Sequence, residues 1–140
     1  MLYYLDTVIV VYAVEGKPAD QARALSHIES LEMAGHRFVV SGLTHTESLV
    51  PTFSTGAGLR LTEYFGFFHG ANVRTINLTA AMHSRAAAIR GGYNYPTSTK
   101  RYGLGDALHL AAAIESGCER FLTNDNRLSN FPDITVEQLP

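Results

Sequence analysis

The sequence predicts an α/β fold in which helices flank a central, mostly parallel β-sheet. Short apolar runs alternate along the chain with longer segments whose apolar residues recur at helical spacing, and this alternation is typical of parallel sheets. With 140 residues, the chain has the length of one ordinary domain. Because it contains no repeat, low-complexity tract or linker-like segment, we predict a single domain over residues 1–140.

The first elements follow from the apolar pattern and from the glycines that interrupt it. Residues 2–5 form a short apolar run, which predicts a buried first strand. A helical stretch over residues 7–14 is stopped at Gly16. The apolar residues that then recur at helical spacing, and are predicted to face the core, are Ala22, Leu25, Ile28 and Leu31, and Gly35 ends this second helix.

The middle of the chain repeats this order of strand and helix. Residues 37–40 predict the second strand, after which Ser41 is suited to cap a helix that carries residues 44–53. A further helix, rich in aromatic residues, is predicted over residues 59–68. Residues 73–76 then predict the third strand.

The last part of the chain completes the predicted sheet. A helix over residues 82–89 leads into a loop that runs from Gly91 to about Gly105. The pattern over residues 106–116 predicts a clear helix, with Gly117 as its stop. Two strands and a short turn or helix between them complete the chain, at residues 120–122, 134–136 and 128–131.

Composition and the N-terminal residues exclude several classes of protein. Hydrophobic residues make up 46% and charged residues 17% of the chain, which excludes a disordered protein. The longest apolar stretch, residues 8–14, is too short to cross a membrane. Asp6 interrupts any signal-peptide pattern, so we expect a cytoplasmic protein. The single cysteine, Cys118, excludes an internal disulfide and a cysteine-based zinc site.

Four acidic residues are predicted to meet at one end of the sheet. Asp6 and Asp125 come at the ends of predicted strands, Asp106 begins a helix, and Glu47 lies one turn into the helix after the second strand. In open parallel sheets, functional groups collect beyond the carboxyl ends of the strands. Any one of these acids alone is more typical of a turn or a helix cap. The prediction therefore depends on the four together.

The chemistry of such a cluster follows from its charge. Converging carboxylates raise one another's pKa unless cations compensate them. Since the set offers only oxygen ligands, it suits hard divalent cations such as Mg²⁺ or Mn²⁺. An ion held by carboxylates can activate water and polarise a phosphoryl oxygen. The sequence therefore predicts metal-dependent hydrolysis of phosphodiester bonds.

Four segments of the sequence also resemble a known family. They are LDT at residues 5–7, SGLTHTE at residues 41–47, GDALHLAAA at residues 105–113 and FLTND at residues 121–125. In this order, and over the whole chain, they resemble the PIN-domain proteins and most closely the VapC-type toxins of toxin–antitoxin pairs. The resemblance implies a metal-dependent endoribonuclease built on a parallel sheet with helices on both faces.

The resemblance also assigns roles to individual residues. The family's acidic residues, which bind Mg²⁺ or Mn²⁺ and carry out catalysis, fall on Asp6, Glu47, Asp106 and Asp125. Thr123 is expected to join this catalytic set and to orient Asp125 or a metal-bound water. Thr7 is expected to steady the loop at Asp6 and to lie close to the substrate.

The implied partners are RNA, a cognate antitoxin protein and a second copy of the chain. Of the 13 acidic residues, four lie at the predicted site, which leaves nine against 11 lysines and arginines. Lys100, Arg101 and Arg127 flank the site acids and are candidate phosphate contacts. The aromatic cluster at residues 64–68 is the candidate dimer interface, with core packing as the alternative. His109 is a candidate partner of Asp106 or an ordinary helix histidine.

Two other functions remain open at this point. An RNA-processing nuclease without an antitoxin would carry the same acids, and so would a binding module that had lost catalysis, although the intact acidic set argues against the latter. A phospho-acceptor domain of the aspartyl-phosphatase type is disfavoured, because Val8 stands where a second aspartate is expected. The chain has neither a GxGxxG nor a GxxxxGK[ST] motif, which excludes the common nucleotide-binding folds.

Overall fold

The computed structural model describes residues 1–56, 58–92 and 102–140, and its centre is a five-stranded sheet. The strands are β1 (Leu2–Leu5), β2 (Arg37–Ser41), β3 (Val73–Ile76), β4 (Arg120–Thr123) and β5 (Thr135–Gln138). Their order is β3-β2-β1-β4-β5, and each neighbouring pair is parallel. The predicted α/β fold with a parallel sheet is therefore confirmed.

Helices connect the strands in the predicted order. Those among the described residues are α1 (Thr7–Glu15), α2 (Pro18–Met33), α3 (Gly42–Thr55), α4 (Gly58–Phe68), α5 (Ala80–Gly91) and α6 (Leu104–Glu115). A 3₁₀ turn (Asn126–Leu128) follows β4. The predicted helix stops Gly35 and Gly117 have φ angles of 84° and 80°. Glycine adopts this left-handed conformation without the penalty that a Cβ brings.

The three central strands, β2, β1 and β4, are buried on both faces because helices cover both. On one face, Tyr4 and Phe121 pack with α5 and α6. On the other, Tyr3, Leu5 and Phe38 pack with α1, α2 and α4. Since side chains alternate between the two faces of a strand, a strand covered on both sides needs apolar residues at nearly every position. This explains the short continuous apolar runs in the sequence.

Two helices start where their preceding strands end. Asp6 alone separates β1 from α1 and caps that helix. Ser41, the last residue of β2, is the N-cap of α3, and its backbone N–H donates to Thr44 Oγ1 at 3.1 Å. The 3₁₀ turn begins three residues after β4 ends. These connections are too short to leave the carboxyl edge of the sheet, so the polar residues in them face one another.

The buried face of α2 differs from the predicted one. Ala24, Ile28 and Leu31 are buried, whereas Leu25 is 45% exposed and Ala22 is exposed. A spacing of three residues, which suggested Ala22 and Leu25, drifts around a helix of 3.6 residues per turn. Spacings of four and three residues keep the buried side chains on one stripe.

The aromatic cluster of α4 serves mainly the core. Tyr64 and Phe68 are buried, Phe67 is half-buried and packs with them, and Phe65 is 43% exposed. Since Tyr64 and Phe68 contact the chain's own core, they offer no surface to a second copy. Of this cluster, Phe65 alone is exposed enough to contribute to the predicted dimer interface.

Two further features concern the single cysteine and the apolar character of the helices. Cys118 is buried, and burial raises the pKa of its thiol, as expected of an unreactive cysteine. Within the part of the chain that the structure describes, no helix has both the length and the apolar character needed to span a bilayer.

Candidate active site

The structure places the four predicted acids on elements that meet at the carboxyl edge of the sheet. Asp6 follows β1 directly, and Asp125 lies two residues after β4. These two strands are neighbours, and the backbone N–H of Asp6 donates to the Leu122 carbonyl at 3.0 Å. Glu47 lies in the second turn of α3, and Asp106 lies in the first turn of α6. Hydrogen bonds and ion pairs connect all four acids to shared neighbours.

Asp6 is a carboxylate held on both of its oxygens. Oδ1 accepts the backbone N–H of Thr7 at 2.8 Å, and Oδ2 accepts the Thr123 hydroxyl at 2.6 Å. Burial raises the pKa of Asp6, and the neighbouring Asp106 charge adds to this effect. Attraction to His109 and the two hydrogen bonds act in the opposite direction. The carboxylate is therefore well oriented, although its charge is partly desolvated.

Thr123 binds a different acid from the one expected. Its side chain is fully buried, and its hydroxyl donates to Asp6, not to the Asp125 carboxylate. The same oxygen accepts the backbone N–H of Asp125 at 3.0 Å. The hydroxyl thus orients Asp6 directly and fixes only the main chain at Asp125.

Glu47 is bound by one hydroxyl and one imidazole. The Thr7 hydroxyl donates to Glu47 Oε1 at 2.8 Å, and His109 Nε2 forms a short hydrogen bond to the same oxygen. The hydrogen bond with His109 is the largest cause that lowers the pKa of Glu47. Thr7 steadies Asp6 only through its backbone N–H, because its side chain is used by Glu47.

His109 connects Glu47 to the core of the protein. The imidazole is only 2% exposed, and its Nδ1 lies 2.7 Å from the Tyr4 hydroxyl. The Tyr4 hydroxyl in turn donates to Ser41 Oγ at 2.9 Å. The imidazole thus joins the Glu47 carboxylate on one side to the buried Tyr4 hydroxyl on the other.

A glycine leaves room for the Glu47 carboxylate beside α6. A Cβ added at Gly105 would lie 3.2 Å from Glu47 Oε2. This is tighter than ordinary van der Waals contact, so a side chain at position 105 would push the carboxylate away. The glycine that precedes Asp106 in the sequence thus serves the neighbouring acid on α3.

Asp125 and Asp106 share one basic partner, Arg127. The guanidinium binds Asp125 with two nitrogens, Nε to Oδ1 at 3.0 Å and Nη2 to Oδ2 at 2.5 Å. Nη2 also lies 3.5 Å from Asp106 Oδ2. The hydrogen bonds from Arg127 lower the pKa of Asp125. Arg127, predicted as a phosphate contact, therefore binds the acids themselves in this structure.

The family assignment agrees with this geometry. A family model for the PIN domain matches residues 3–134, a range that includes all four acids. The chain belongs to the PIN domain family. No curated protein matches the sequence.

Solved structures similar to this PIN domain include VapBC and VapC proteins, which confirms the predicted resemblance. VapBC2 from Rickettsia felis, bound to a DNA fragment from its promoter, superimposes with a TM-score of 0.80 at 18% identity over 100% of both chains. DNA-bound VapBC from Salmonella typhimurium gives 0.76 at 19% identity, again over 100% of both chains. Mycobacterium tuberculosis VapC20, a sarcin-ricin loop cleaving toxin, gives 0.70 at 15% identity, over 96% of this chain and 98% of that one. At these identities the similarity shows a shared fold.

The donor set of this PIN domain fits a hard divalent cation by its chemistry, since all four acids offer carboxylate oxygens. In the described residues, however, no group of three or more histidine, cysteine, aspartate or glutamate side chains is arranged to hold a metal ion. The acids are divided between two partners, because Glu47 bonds with His109 whereas Asp106 and Asp125 bind Arg127. The four carboxylates therefore do not converge on one point in this structure.

The sequence does not predict two residues that contribute to the site. Tyr4 was predicted only as an apolar strand residue and Ser41 only as a helix cap, although both belong to the hydrogen-bond network that includes His109. A tyrosine in a buried strand is a usable signal, because its hydroxyl must find a partner there. Lys100 and Arg101, the other predicted phosphate contacts, lie outside the described residues.

Proposed function

We propose that this PIN domain is an endoribonuclease that depends on Mg²⁺ or Mn²⁺ and acts as the toxin of a toxin–antitoxin pair in the cytoplasm. The observation that carries the proposal is the linked set of four acids from four different elements at the carboxyl edge of the sheet. A fold of this size has little reason to gather four carboxylates unless their charge serves a cation.

In this proposal, Asp6, Glu47, Asp106 and Asp125 hold the metal. When bound, such an ion stabilises the charge that builds up on the phosphoryl oxygens and lowers the pKa of a water. Thr123 keeps the Asp6 carboxylate facing the site, and Thr7 and His109 do the same for Glu47. Lys100, Arg101 and Arg127 contact the phosphates on either side of the scissile bond.

The proposed substrate is single-stranded or looped RNA. The acids lie on a rim of the domain and not at the bottom of a deep cleft, since Asp106 and Asp125 retain about a quarter of their side-chain exposure, 24% and 27%. A shallow site reaches a phosphate more readily when the strand is unpaired and can be drawn out of a helix.

The proposed protein partners are a small antitoxin and a second copy of the chain. Several of the structural neighbours are VapBC assemblies, which supports an antitoxin for this chain as well. A cationic side chain from the antitoxin would silence the site by competing with the metal for the carboxylates. The interactions that Arg127 and His109 already make support this route, because they involve the same acids.

Cleavage of a structured RNA mixture tests the nuclease proposal. We expect the wild type to cleave with Mg²⁺ or Mn²⁺ and to stop when EDTA is added, and we expect Asp6→Ala to lose at least about a hundredfold in rate. Glu63→Gln is the matched control, because within the described residues this acid forms its ion pair with Arg60, on the surface of α4. Full activity of Asp6→Ala would remove that residue from the site.

Measuring the growth of cells that express the protein distinguishes a toxin from the two alternative functions. Induction of the wild type in the absence of an antitoxin should arrest growth, and induction of Asp6→Ala should not. Metal-dependent cleavage without growth arrest would indicate an RNA-processing nuclease. A protein that binds RNA but cleaves none of it with either metal would indicate a binding module.

A further inference from the structure

Arg127 occupies an unusual place for an exposed arginine. Its side chain is 60% exposed, yet its guanidinium makes three contacts with the Asp125 carboxylate, at 3.0, 3.0 and 2.5 Å. The same Nη2 atom that binds Asp125 also lies 3.5 Å from Asp106 Oδ2. One nitrogen therefore stands between carboxylates from two different elements, one at the start of α6 and one after β4.

This is also the position that a metal shared by these two acids would need. Magnesium–oxygen distances are about 2.0–2.1 Å, which is shorter than either contact of Nη2 with the carboxylate oxygens. A metal bound by both acids would therefore draw them closer together than the guanidinium does. Because the two cations would occupy the same space, the site can hold only one of them at a time.

We infer that Arg127 is an exchangeable internal counter-ion, which holds Asp106 and Asp125 in the metal-free protein and is displaced when a divalent cation binds them. The inference concerns the metal site of the proposed nuclease, and it adds a state in which the protein supplies its own cation. It also explains why no metal-binding group of three side chains is present in the described residues.

The side chain has the freedom that such an exchange requires. Within the described residues, the contacts of the guanidinium are those with Asp125 and Asp106, so leaving them disturbs no core packing. The backbone N–H of Arg127 also binds Asp125 Oδ1, at 2.9 Å, and this contact can persist while the side chain turns away. An exposed ion pair contributes little to stability, so a divalent cation at millimolar concentration can compete with it.

Metal titration without RNA tests the inference. Isothermal calorimetry with MnCl₂ should give a dissociation constant about fivefold lower for Arg127→Ala than for the wild type, because the competing cation is gone. Arg23→Ala is the matched control. Arg23 donates to the Asn124 side chain, next to Asp125, and forms an ion pair with Asp20, so its loss removes the same charge from the same edge without freeing any of the four site acids. We expect its dissociation constant to stay within about twofold of the wild type.

Nuclear magnetic resonance follows the exchange in the unmodified protein. The Nε–H signal of Arg127, identified by its absence in Arg127→Lys, should shift as Mg²⁺ is added and should do so with the midpoint of metal binding. An unmoved signal at saturating Mg²⁺ would overturn the inference, and so would an Arg127→Ala variant that binds Mn²⁺ no better than Arg23→Ala. Either result would leave the nuclease proposal intact if the wild type still cleaves RNA with metal, because cleavage is measured separately.

Discussion

The two halves of the acidic site are held in different ways. Asp6 and Glu47 bind groups that belong to the core, since Thr123 is fully buried and His109 is 2% exposed. Asp106 and Asp125 share a single arginine whose side chain is 60% exposed. The first half is thus oriented before any ligand arrives, and the second half can change partners. A site that must admit a metal and a phosphate benefits from both properties.

The pKa values of two of the acids, one from each half of the site, are shifted in opposite directions. Burial raises the pKa of Asp6, whereas the guanidinium of Arg127 lowers the pKa of Asp125. For Asp6, desolvation outweighs the hydrogen bonds that orient the carboxylate, whereas for Asp125 the ion pair with Arg127 outweighs desolvation. Glu47 combines orientation by the core with easy ionisation, because the hydrogen bond with His109 lowers its pKa.

Among the variants that test this comparison, the largest expected effect comes from removing the hydroxyl that links His109, the partner of Glu47, to the core. Tyr4→Phe removes only the hydroxyl that joins His109 to Ser41. We expect the rate of RNA cleavage to fall about tenfold or more and the free energy of unfolding to fall by about 1–2 kcal/mol, because two buried polar groups lose a partner. Tyr3→Phe is the control in the same strand, since its ring lies on the opposite face of the sheet. Equal cleavage rates for Tyr4→Phe and Tyr3→Phe would mean that the buried network does not orient Glu47.

An intermediate effect concerns pH, and Asp6 and Asp125 should respond with opposite signs. The raised pKa of Asp6 means that its charge destabilises the folded state above that pKa, so Asp6→Asn should stabilise the metal-free protein at neutral pH. This gain should fade as the pH falls through the raised pKa. The lowered pKa of Asp125 means that its carboxylate stabilises the fold above its usual pKa. Asp125→Asn should therefore destabilise at neutral pH, and by less, because the ion pair is exposed.

The measurement for this pair of variants is urea unfolding in EDTA between pH 7 and pH 3. The difference between Asp125→Asn and the wild type should shrink as the pH falls below the usual pKa of an aspartate toward the lowered pKa of Asp125. Changes of the same sign in both variants would break the comparison between the two halves.

The smallest expected effect comes from adding a methyl group at position 105, close to the Glu47 carboxylate. Gly105→Ala would bring a methyl group to 3.2 Å from Glu47 Oε2. We expect cleavage to fall by about two- to fivefold as the carboxylate shifts by a few tenths of an ångström, while the helix gains up to about 1 kcal/mol from the better helix former. Gly66→Ala in α4, where a Cβ meets nothing within 4 Å, should give the gain in stability alone. Cleavage by Gly105→Ala at the wild-type rate would show that Glu47 tolerates displacement.

The sequence predicts the parts of this molecule that depend on local pattern. The three central strands appear as apolar runs because both of their faces are covered, and Asp6 and Asp125 can be placed because each comes just after such a run. The position of Glu47 follows from the cap at Ser41 one residue before α3 begins. Local rules suffice for these residues because strand ends and helix starts coincide at one edge.

Partner choice within the site is not local, and there the sequence was less informative. The Thr123 hydroxyl donates to Asp6 and not to the Asp125 carboxylate, because β4 lies beside β1 in the sheet. This contact therefore depends on the order of the strands. From the sequence, Arg127 is expected to be an ordinary surface cation, whereas in the fold α6 brings Asp106 next to it. Both depend on segments far apart in the chain, which no periodicity or capping rule brings together.

The position of β1 in the middle of the sheet has a consequence for synthesis. β1 leaves the ribosome before β4, yet the two strands pair, and Asp6 takes a hydrogen bond from a residue 117 positions later. A growing chain therefore carries Asp6 long before it carries the Thr123 hydroxyl that orients this acid. Such long-range pairing also forms late in folding. Chains that end before β4 lack the complete acidic set, so any hydrolytic activity requires β4 and the residues just after it.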